Sequence, residues 1–222
     1  MKIFLASGSP RRIELLKWMG LSFEVIGHRV DESRVEAKRG EDLVAELAMQ
    51  KANNPALQLN EEGSELELLK VRNLEGLVIG SDLTVELEGK QLGKPKDKKE
   101  AKKMLKYLGG KSHSVWCGVA VVDSKVGEGR LSVCETKVKM KNYDQEIIDR
   151  YVKKFELMDK GGGYSIRYEL KGYGSLVEKI EGSYTNVLGL PLHYLENLLK
   201  EFGVKLKKDW RKICKKETGY EN

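Results

Sequence analysis

The sequence has few of the residues that build disulfide frameworks, metal cages and membrane spans. Its three cysteines are odd in number and have no metal-ligand spacing, and its three histidines are scattered. These counts argue against a disulfide framework and a histidine metal site and favour a reducing cytosol with free thiols. No apolar run approaches the roughly 20 residues of a membrane span, and the first residues lack a signal-peptide layout. We therefore expect a cytoplasmic protein without a membrane partner.

Several diagnostic motifs are also missing, namely a Walker loop, a Rossmann fingerprint, a nucleophile elbow and internal repeats. Net positive charge is missing from most of the chain, because residues 205–216 hold seven cations and one acid and account for the whole net charge of +6. The nearly neutral remainder argues against a nucleic-acid platform. Because cations fall all around residues 205–216, we favour a solvated terminus there over a surface for nucleic acid or an acidic partner.

The composition that remains is that of a folded globular protein. The 222 residues are 40% hydrophobic and 33% charged, enough for one sizeable domain or a compact two-lobed one. Helical and strand patterns alternate, and tight hairpins join some of the strands, which predicts an α/β fold with a mixed sheet. We divide the chain into a domain over residues 1–204 and a basic extension over residues 205–222.

Apolar periodicity locates the elements of this fold. Helices are expected from Pro10 to Met19, over 41–52, from Asp97 to Leu108, over 144–155 and, as the last helix, from Pro191. Strands are expected over 3–6, 23–26, 77–87, 115–122, 130–140, 164–168 and 174–180, with a hairpin turn at 88–90. The polar residues 53–75 are interpreted as a long surface connection with at most a turn of helix around 64–70.

The first twelve residues organise the chain. A buried strand is followed by the turn Ser7-Gly8, and Ser9 and Pro10 take the positions that favour a helix start. Arg11 and Arg12 then stand in the first helical turn, where cations oppose the helix dipole. A helix N-terminus with two guanidiniums predicts a phosphate site. The alternative is that both arginines are solvated or paired with acids elsewhere.

Asp82 is the strongest candidate for chemistry, because a carboxylate in an apolar strand needs a metal, a cation or hydrogen-bond donors. The structural alternative is that it caps a bulge or pairs with an arginine. Lys94, Glu32 and Glu46 are equally consistent with solvated surface, and His113 is a candidate base. Cations with hard carboxylates suit magnesium or manganese and a polyphosphate substrate. The residues alone leave phosphoryl transfer, hydrolysis and simple nucleotide binding open.

Several separate motifs, in order over residues 2–199, resemble the Maf family. The motifs are Leu5-Ala6-Ser7-Gly8-Ser9-Pro10-Arg11-Arg12 with Glu14-Leu15-Leu16, Glu46-Leu47-Ala48 with Lys51-Ala52, Ile79-Gly80-Ser81-Asp82, Gly93-Lys94-Pro95, Asp159-Lys160 before a glycine-rich turn, and Val187-Leu188-Gly189-Leu190-Pro191. The resemblance implies an elongated mixed sheet flanked by helices, with two lobes around a cleft, similar to the inosine triphosphate pyrophosphatases. It also implies a house-cleaning nucleoside triphosphate pyrophosphatase linked to inhibition of septum formation.

The resemblance also implies roles for single residues. Asp82 matches the catalytic proton acceptor of the family, and it is a metal ligand together with Glu32 if Mg²⁺ or Mn²⁺ is bound. The expected substrate-binding residues are Ser7, Arg11, Arg12, Lys51, Lys94, Asp159 and Lys160. The expected partner is a nucleoside triphosphate, with a homodimer as a further expectation. The alternatives are a non-catalytic nucleotide-binding regulator of cell division and a nucleic-acid binder that uses the basic extension.

Two positions depart from the pyrimidine-preferring branch of the family. Leu83 stands where that branch has Thr, and Ile166-Arg167 stands where it has Ile-Gln. A guanidinium can only donate hydrogen bonds, whereas an amide can match the donor and acceptor edge of uracil or thymine. We therefore assign base specificity to Leu83 and Arg167 and expect a relaxed preference for dTTP and UTP.

Overall fold

The computed structural model describes residues 1–35, 37, 39–56 and 74–220. The strands are β1 Ile3–Ala6, β2 Glu24–His28, β3 Pro55–Ala56, β4 Leu77–Leu87, β5 Lys90–Leu92, β6 Ser112–Asp123, β7 Glu128–Met140, β8 Glu169–Leu170, β9 Gly174–Ser175 and β10 Val177–Glu181. The α-helices are α1 Pro10–Trp18, α2 Gly40–Asn53, α3 Lys98–Leu108, α4 Gln145–Lys154, α5 Tyr184–Val187, α6 Leu192–Glu201 and α7 Trp210–Thr218. Most of the predicted 53–75 connection, including the turn of helix at 64–70, lies outside the described residues.

The predicted mixed sheet is confirmed. The described residues form an eight-stranded sheet in the order β10-β7-β6-β4-β1-β2-β3, with β5 paired to β4. β1 is parallel to both of its neighbours, β2 and β4. The other pairs are antiparallel, and β8 and β9 form a separate two-stranded sheet.

Local sequence signals fix several element boundaries. Asp97 accepts a hydrogen bond from the Glu100 N–H at the start of α3, and Asp144 accepts one from the Ile147 N–H at the start of α4. The β4–β5 hairpin turns on Glu88 and Gly89, whose φ values of 55° and 75° are those of a type I′ turn. The predicted helix start at Asp97 and the predicted hairpin turn are confirmed, and α4 lies within the helix predicted over 144–155.

Three local predictions are wrong in detail. Ser9 stands at the N-cap of α1, but its side chain makes no capping bond. Residues 164–168 form no strand, since strand structure in this region begins only at Glu169. The sequence of residues 182–186 predicts a turn, but residues 184–187 form the short helix α5.

Side chains alternate across the sheet and give it two different faces. Phe4, Ala6 and Val78 point toward α2, with Ala48 and Ala52 of the helix packed on them. The opposite face carries two larger apolar clusters. One is built around α1, α6 and α7, and the other around α3 and α4. Ile166 and Ile180 border both clusters, so the two clusters meet on this face.

The C-terminal segment corrects the expectation of a solvated terminus. Residues 210–218 form α7, whose Trp210 and Cys214 are fully buried in the cluster around α1. Trp210 Nε1 also donates a hydrogen bond of 2.9 Å to Glu196 Oε2 on α6. The division of the chain at residue 204 stays a prediction, but α7 is packed into the fold. No helix among the described residues is long and apolar enough to cross a membrane.

Candidate functional site

The site lies at an interruption in the hydrogen bonding of β4. One edge of β4 pairs with β6 along nearly its whole length, from Leu77 to Glu86. The opposite edge pairs with β1 only up to Ile79 and with β5 only from Val85. Within the part of the chain that the structure describes, residues 80–84 therefore have no strand partner on that edge, and we call this interruption the window.

Two consequences follow from the regular register of β4. Main-chain polar groups of successive residues point to alternate edges. Leu77 N donates across the β1 edge to Lys2 O, so the main-chain groups of Ser81 and Leu83 face the window. Side chains alternate between the two faces, so Asp82 points to the α2 face and Leu83 to the α1 face. At the window, the α2 face of the sheet thus presents a carboxylate and the α1 face an apolar side chain.

On the α2 face, glycines bring the helix directly onto the sheet. A Cβ at Gly80 would lie 2.2 Å from Ala48 O, and one at Gly118 would lie 2.1 Å from Val44 O. Any side chain at these two positions would push α2 outward. Their absence lets Lys51, on the last turns of α2, reach the window.

Lys51 joins two carboxylates. Its Nζ lies 2.6 Å from Asp82 Oδ1 and 2.6 Å from Glu32 Oε1, in the 3₁₀ turn Glu32–Arg34. Lys51 and Asp82 are largely buried, with side chains 3% and 11% exposed. Burial raises the pKa of Glu32, but the hydrogen bond and the charge of Lys51 outweigh it and hold that pKa below its usual value. Asp82 is therefore paired with a lysine, whereas the structural alternative named an arginine.

His28 ends β2 beside this group and also lines the cavity. Burial, followed by the charge of Lys51, lowers its pKa below the ordinary value of 6.5. The surroundings of His28 therefore favour its neutral form. Sequence reasoning missed it because a single histidine at a strand end carries no spacing signal.

The donors of the α2 face fit a magnesium or manganese ion that is bound together with substrate. Among the described residues no group of three or more His, Cys, Asp and Glu side chains could hold a metal. Asp82 and Glu32 each bond Lys51 Nζ through one oxygen and both line the cavity, and Mg²⁺ is commonly held by one or two carboxylates plus substrate phosphates. The predicted ligand pair therefore fits the ion, and its binding stays a prediction.

On the α1 face, Arg12 is held without a carboxylate. Its Nε donates to Gly189 O at 2.8 Å, and its Nη1 donates to Ser7 Oγ at 3.2 Å. Within the described chain Arg12 forms no ion pair, so its charge is not neutralised. The Gly189 carbonyl also accepts from Ser81 Oγ at 3.1 Å. The carbonyl of Gly189 thus links Arg12 to the window. The sequence did not predict this role.

Arg11 differs from Arg12 because it is paired. Its Nη1 lies 2.8 Å from Asp159 Oδ2, and its Nη2 donates to the Asp159 main-chain oxygen at 3.1 Å. Lys160 Nζ lies 2.5 Å from the other carboxylate oxygen of Asp159. Burial raises the pKa of Asp159, but Lys160 and Arg11 outweigh it and hold that pKa below its usual value.

Lys94 is exposed at the rim of the same cavity and forms no ion pair with any described carboxylate. The glycine-rich loop is fixed next to it, because Gly162 N donates to Gly93 O at 3.0 Å. Leu83 fills the space between the loops, where a Cβ at Gly161 would lie 3.5 Å from its side chain and one at Gly189 would lie 4.0 Å from it.

These groups line one cavity of about 800 Å³, a size typical of small-molecule sites. Ten of its lining residues are the predicted Ser7, Arg11, Arg12, Glu32, Lys51, Asp82, Leu83, Lys94, Asp159 and Lys160. Five are cations and three are carboxylates, so the cavity has an excess of positive charge. An anion with several charges is the ligand that this balance favours.

Three predicted candidates lie elsewhere. His113 is 2% exposed and bonds the Tyr164 hydroxyl at 2.7 Å behind the cavity wall, and burial lowers its pKa to about 4. Glu46 bonds Gln50 on the surface of α2. Arg167, assigned to base specificity, forms a bidentate pair with Glu14 at 2.7 and 3.1 Å and borders a second cavity. The structure thus does not support a catalytic role for His113 or direct contact of Arg167 with the base.

Comparisons with known proteins find relatives that match this chain along most of its length. The family model described as Maf-like protein matches residues 2–202. A dTTP/UTP pyrophosphatase of Acetivibrio thermocellus is 46% identical over 210 residues, which is 94% of this chain and 98% of that protein. A dTTP/UTP pyrophosphatase of Dictyoglomus thermophilum is 40% identical over 207 residues, covering 92% and 98%.

A solved structure from Mycobacterium abscessus, titled nucleoside-triphosphatase or dITP/XTP pyrophosphatase, aligns at 15% identity. It covers 63% of this chain and 74% of that one with a TM-score of 0.37, too low to carry an argument. The family model and the two pyrophosphatases instead match along nearly the whole chain, through the segments that build the cavity. The chain therefore belongs to the Maf family.

Proposed function

We propose that this protein hydrolyses nucleoside triphosphates to the monophosphate and pyrophosphate, with UTP and dTTP as preferred substrates. The observation that carries the proposal is the buried Asp82–Lys51 pair at the window of a cavity with excess positive charge. Proteins that are named dTTP/UTP pyrophosphatases and are 40–46% identical to this chain support both the reaction and the substrates. The protein is thus a house-cleaning nucleoside triphosphate pyrophosphatase.

The α1 side binds the phosphates. The N-terminus of α1 offers main-chain N–H groups and the positive end of the helix dipole. Neither Arg12 nor Lys94 forms an ion pair with a carboxylate of the described residues, so they bind phosphate oxygens without first losing one. As the bond to the leaving pyrophosphate breaks, these cations stabilise the negative charge that builds up on it.

The α2 side activates water. Asp82 accepts a proton from a water molecule, whose oxygen bonds to the α-phosphorus while the bond from that phosphorus to the bridging oxygen breaks. Lys51 orients the Asp82 carboxylate through its bond of 2.6 Å and is itself held by Glu32. The electron pair of the broken bond leaves with the pyrophosphate.

A divalent cation, Mg²⁺ or Mn²⁺, would be held by Asp82 and Glu32. It would supply Lewis-acid neutralisation of the phosphate oxygens. Metal dependence, a cytoplasmic location and a homodimer remain predictions.

Base preference is assigned to Leu83 and to the surrounding cavity wall rather than to Arg167. The expected relaxation of the dTTP and UTP preference depended on a guanidinium that meets the base, and the Arg167 guanidinium is instead occupied by Glu14. We therefore favour the substrates named for the relatives. No observation favours a non-catalytic regulator. The burial of Trp210 and Cys214 argues against a C-terminal tail that binds nucleic acid.

The test is a panel of nucleoside triphosphates with magnesium, with manganese and with chelator, in which pyrophosphate and monophosphate are both measured. We expect equal amounts of both products, highest kcat/KM with UTP and dTTP, and no turnover with chelator. Release of single phosphates would contradict the reaction. Equal rates with all bases would contradict the substrate preference, and full activity with chelator would contradict the metal dependence.

A further inference from the structure

Two ion pairs join α1 to the loop of residues 159–168, and they lie on opposite sides of it. The inner pair is Arg11–Asp159, whose members both line the substrate cavity. The outer pair is Arg167–Glu14, whose members both border the second cavity of about 440 Å³. Ile166 separates the two cavities and lines both.

The loop carrying these pairs spans the two apolar clusters of the α1 face. On the α4 side it is fixed by Ser165, whose N–H donates to the Tyr151 hydroxyl at 3.1 Å and whose carbonyl accepts from that hydroxyl at 3.3 Å. Tyr164 adds the buried bond to His113. On the α1 side the loop is held by the ion pairs, so they set the distance from the loop to the phosphate-binding helix.

Substrate binding competes with the inner pair. Arg11 and Asp159 both line the cavity in which the triphosphate is expected. A phosphate oxygen that bonds Arg11 competes with Asp159 for the guanidinium, so the inner pair is weakened. The outer pair is then the ion pair from this loop to α1, among the described residues, with which substrate does not compete.

The outer pair has a geometry suited to this task. Arg167 binds both oxygens of Glu14, at 2.7 and 3.1 Å, a bidentate arrangement that fixes orientation as well as distance. The guanidinium also lies 5.9 Å above the Trp18 ring of α1. The pKa of Arg167 is lowered by burial, but the bond and charge of Glu14 outweigh this and raise it.

We infer that Arg167 and Glu14 are positioning residues that hold the loop with Ser165 and Ile166 against α1 while substrate occupies the cavity. Neither side chain touches the substrate. The inference rests on the proposed function and replaces base recognition as the role of Arg167.

The test is a double-mutant cycle with Glu14→Gln, Arg167→Gln and both together, assayed with UTP, dTTP and GTP. If the pair acts as one unit, each single variant and the double variant raise KM by the same roughly 3- to 10-fold. We expect kcat to stay within about twofold and the ratios between bases to stay constant, since the loop and not the base contact is changed. Arg167→Lys, which keeps the charge but not the bidentate bond, should give an intermediate KM.

Lys102→Gln is the matched control. The Lys102–Asp149 pair is 2.7 Å long, joins α3 to α4 and has side chains 42% and 48% exposed, against 31% and 44% for Arg167 and Glu14. A melting temperature measured for every variant separates folding from positioning. We expect Lys102→Gln to change KM by less than about twofold.

Each other outcome overturns the inference. Unchanged KM in the three variants, or additive effects of Glu14→Gln and Arg167→Gln, would show that the pair is not a unit that positions the loop. A changed base ratio for Arg167→Gln with none for Glu14→Gln would restore base recognition. A wild-type protein that hydrolyses no triphosphate refutes the proposed function, and calorimetric titration with inorganic triphosphate then makes the same comparison of variants without turnover.

Discussion

The two faces of the sheet at the window differ in how their charges are balanced. On the α2 face, the Lys51 ammonium is shared by Asp82 and Glu32, so charge is already neutralised in the unliganded protein. On the α1 face, Arg12 is held by a carbonyl and a hydroxyl and keeps its full charge. An internally balanced group suits a reaction centre that must keep its geometry, and an unbalanced cation suits a binding site for an anion.

The largest effect on turnover should come from a substitution at the reaction centre on the α2 face. Asp82→Asn keeps the size of the side chain and removes the proton acceptor, so we expect kcat to fall by at least about 100-fold. Steady-state kinetics with UTP measures this, and a melting curve checks the fold. Asp149→Asn, at a surface ion pair on α4, is the control. Near-normal turnover by a folded Asp82→Asn protein would refute the role of Asp82.

Substitutions of the arginines on the α1 face should instead weaken the binding of substrate. Arg12→Ala should raise KM for UTP by about 10- to 100-fold, the range for one or two charge-assisted hydrogen bonds. Arg11→Ala should have a smaller effect, because Arg11 must first give up Asp159. Parallel KM measurements test the order. A larger loss for Arg11→Ala would show that the paired arginine is the main phosphate ligand.

The spacing between α2 and the sheet can be tested without changing any charge. Gly80→Ala would place a Cβ 2.2 Å from Ala48 O, and relief of this clash must move the helix that carries Lys51. Overpacking of this kind costs about 1–3 kcal/mol of folding stability, measurable by urea denaturation. Gly93→Ala, whose Cβ would meet no atom within 4 Å, is the stability control. Equal stability of the two variants would mean that close packing of α2 does not require Gly80.

A carboxylate outside the cavity lining should give the smallest effect. Glu196 accepts bonds of 2.9 Å from Trp210 and Arg211 on α7, and its other oxygen lies 2.9 Å from Lys200. Burial raises its pKa, but these partners outweigh it and lower the pKa from 4.5 to about 2. Its stabilising contribution is therefore present above about pH 4.5 and is lost as the pH falls toward 2.

The difference in melting temperature between wild type and Glu196→Gln measures this contribution. We expect it to be larger at pH 7 than at pH 3 and to leave kcat/KM unchanged. A difference that is constant over this range would show that the charge of Glu196 does not hold α7.

The sequence predicted the elements whose signals are local. Capping aspartates, the Glu88-Gly89 turn and apolar periodicity depend on neighbours a few residues away, so α3, α4 and the β4–β5 hairpin could be located. The cavity residues could be named because the family motifs carry them. Their pairing could not be predicted, since Lys51 with Asp82 and Arg11 with Asp159 are set by tertiary packing.

The misinterpreted C-terminal segment and the unforeseen partner of Arg167 have the same cause. The segment with seven cations was interpreted as solvated because charge was counted per residue, whereas Trp210 and Cys214 point to the one buried side of α7. Arg167 was assigned to the base by its place in a motif. Its guanidinium lies with Glu14, which is distant in sequence and could not be identified as a partner before the fold was known.

The open edge of β4 has a consequence for how the site tolerates mutation. The groups that Ser81 and Leu83 present to the window are main-chain amides, which every residue except proline supplies in the same place. A nucleotide analogue bonded to this edge would keep those bonds through nearly any substitution at position 83. In a saturation library at position 83, every variant except proline should therefore keep those bonds, so a changed ratio of UTP to GTP hydrolysis reports the side chain to which we assign base preference.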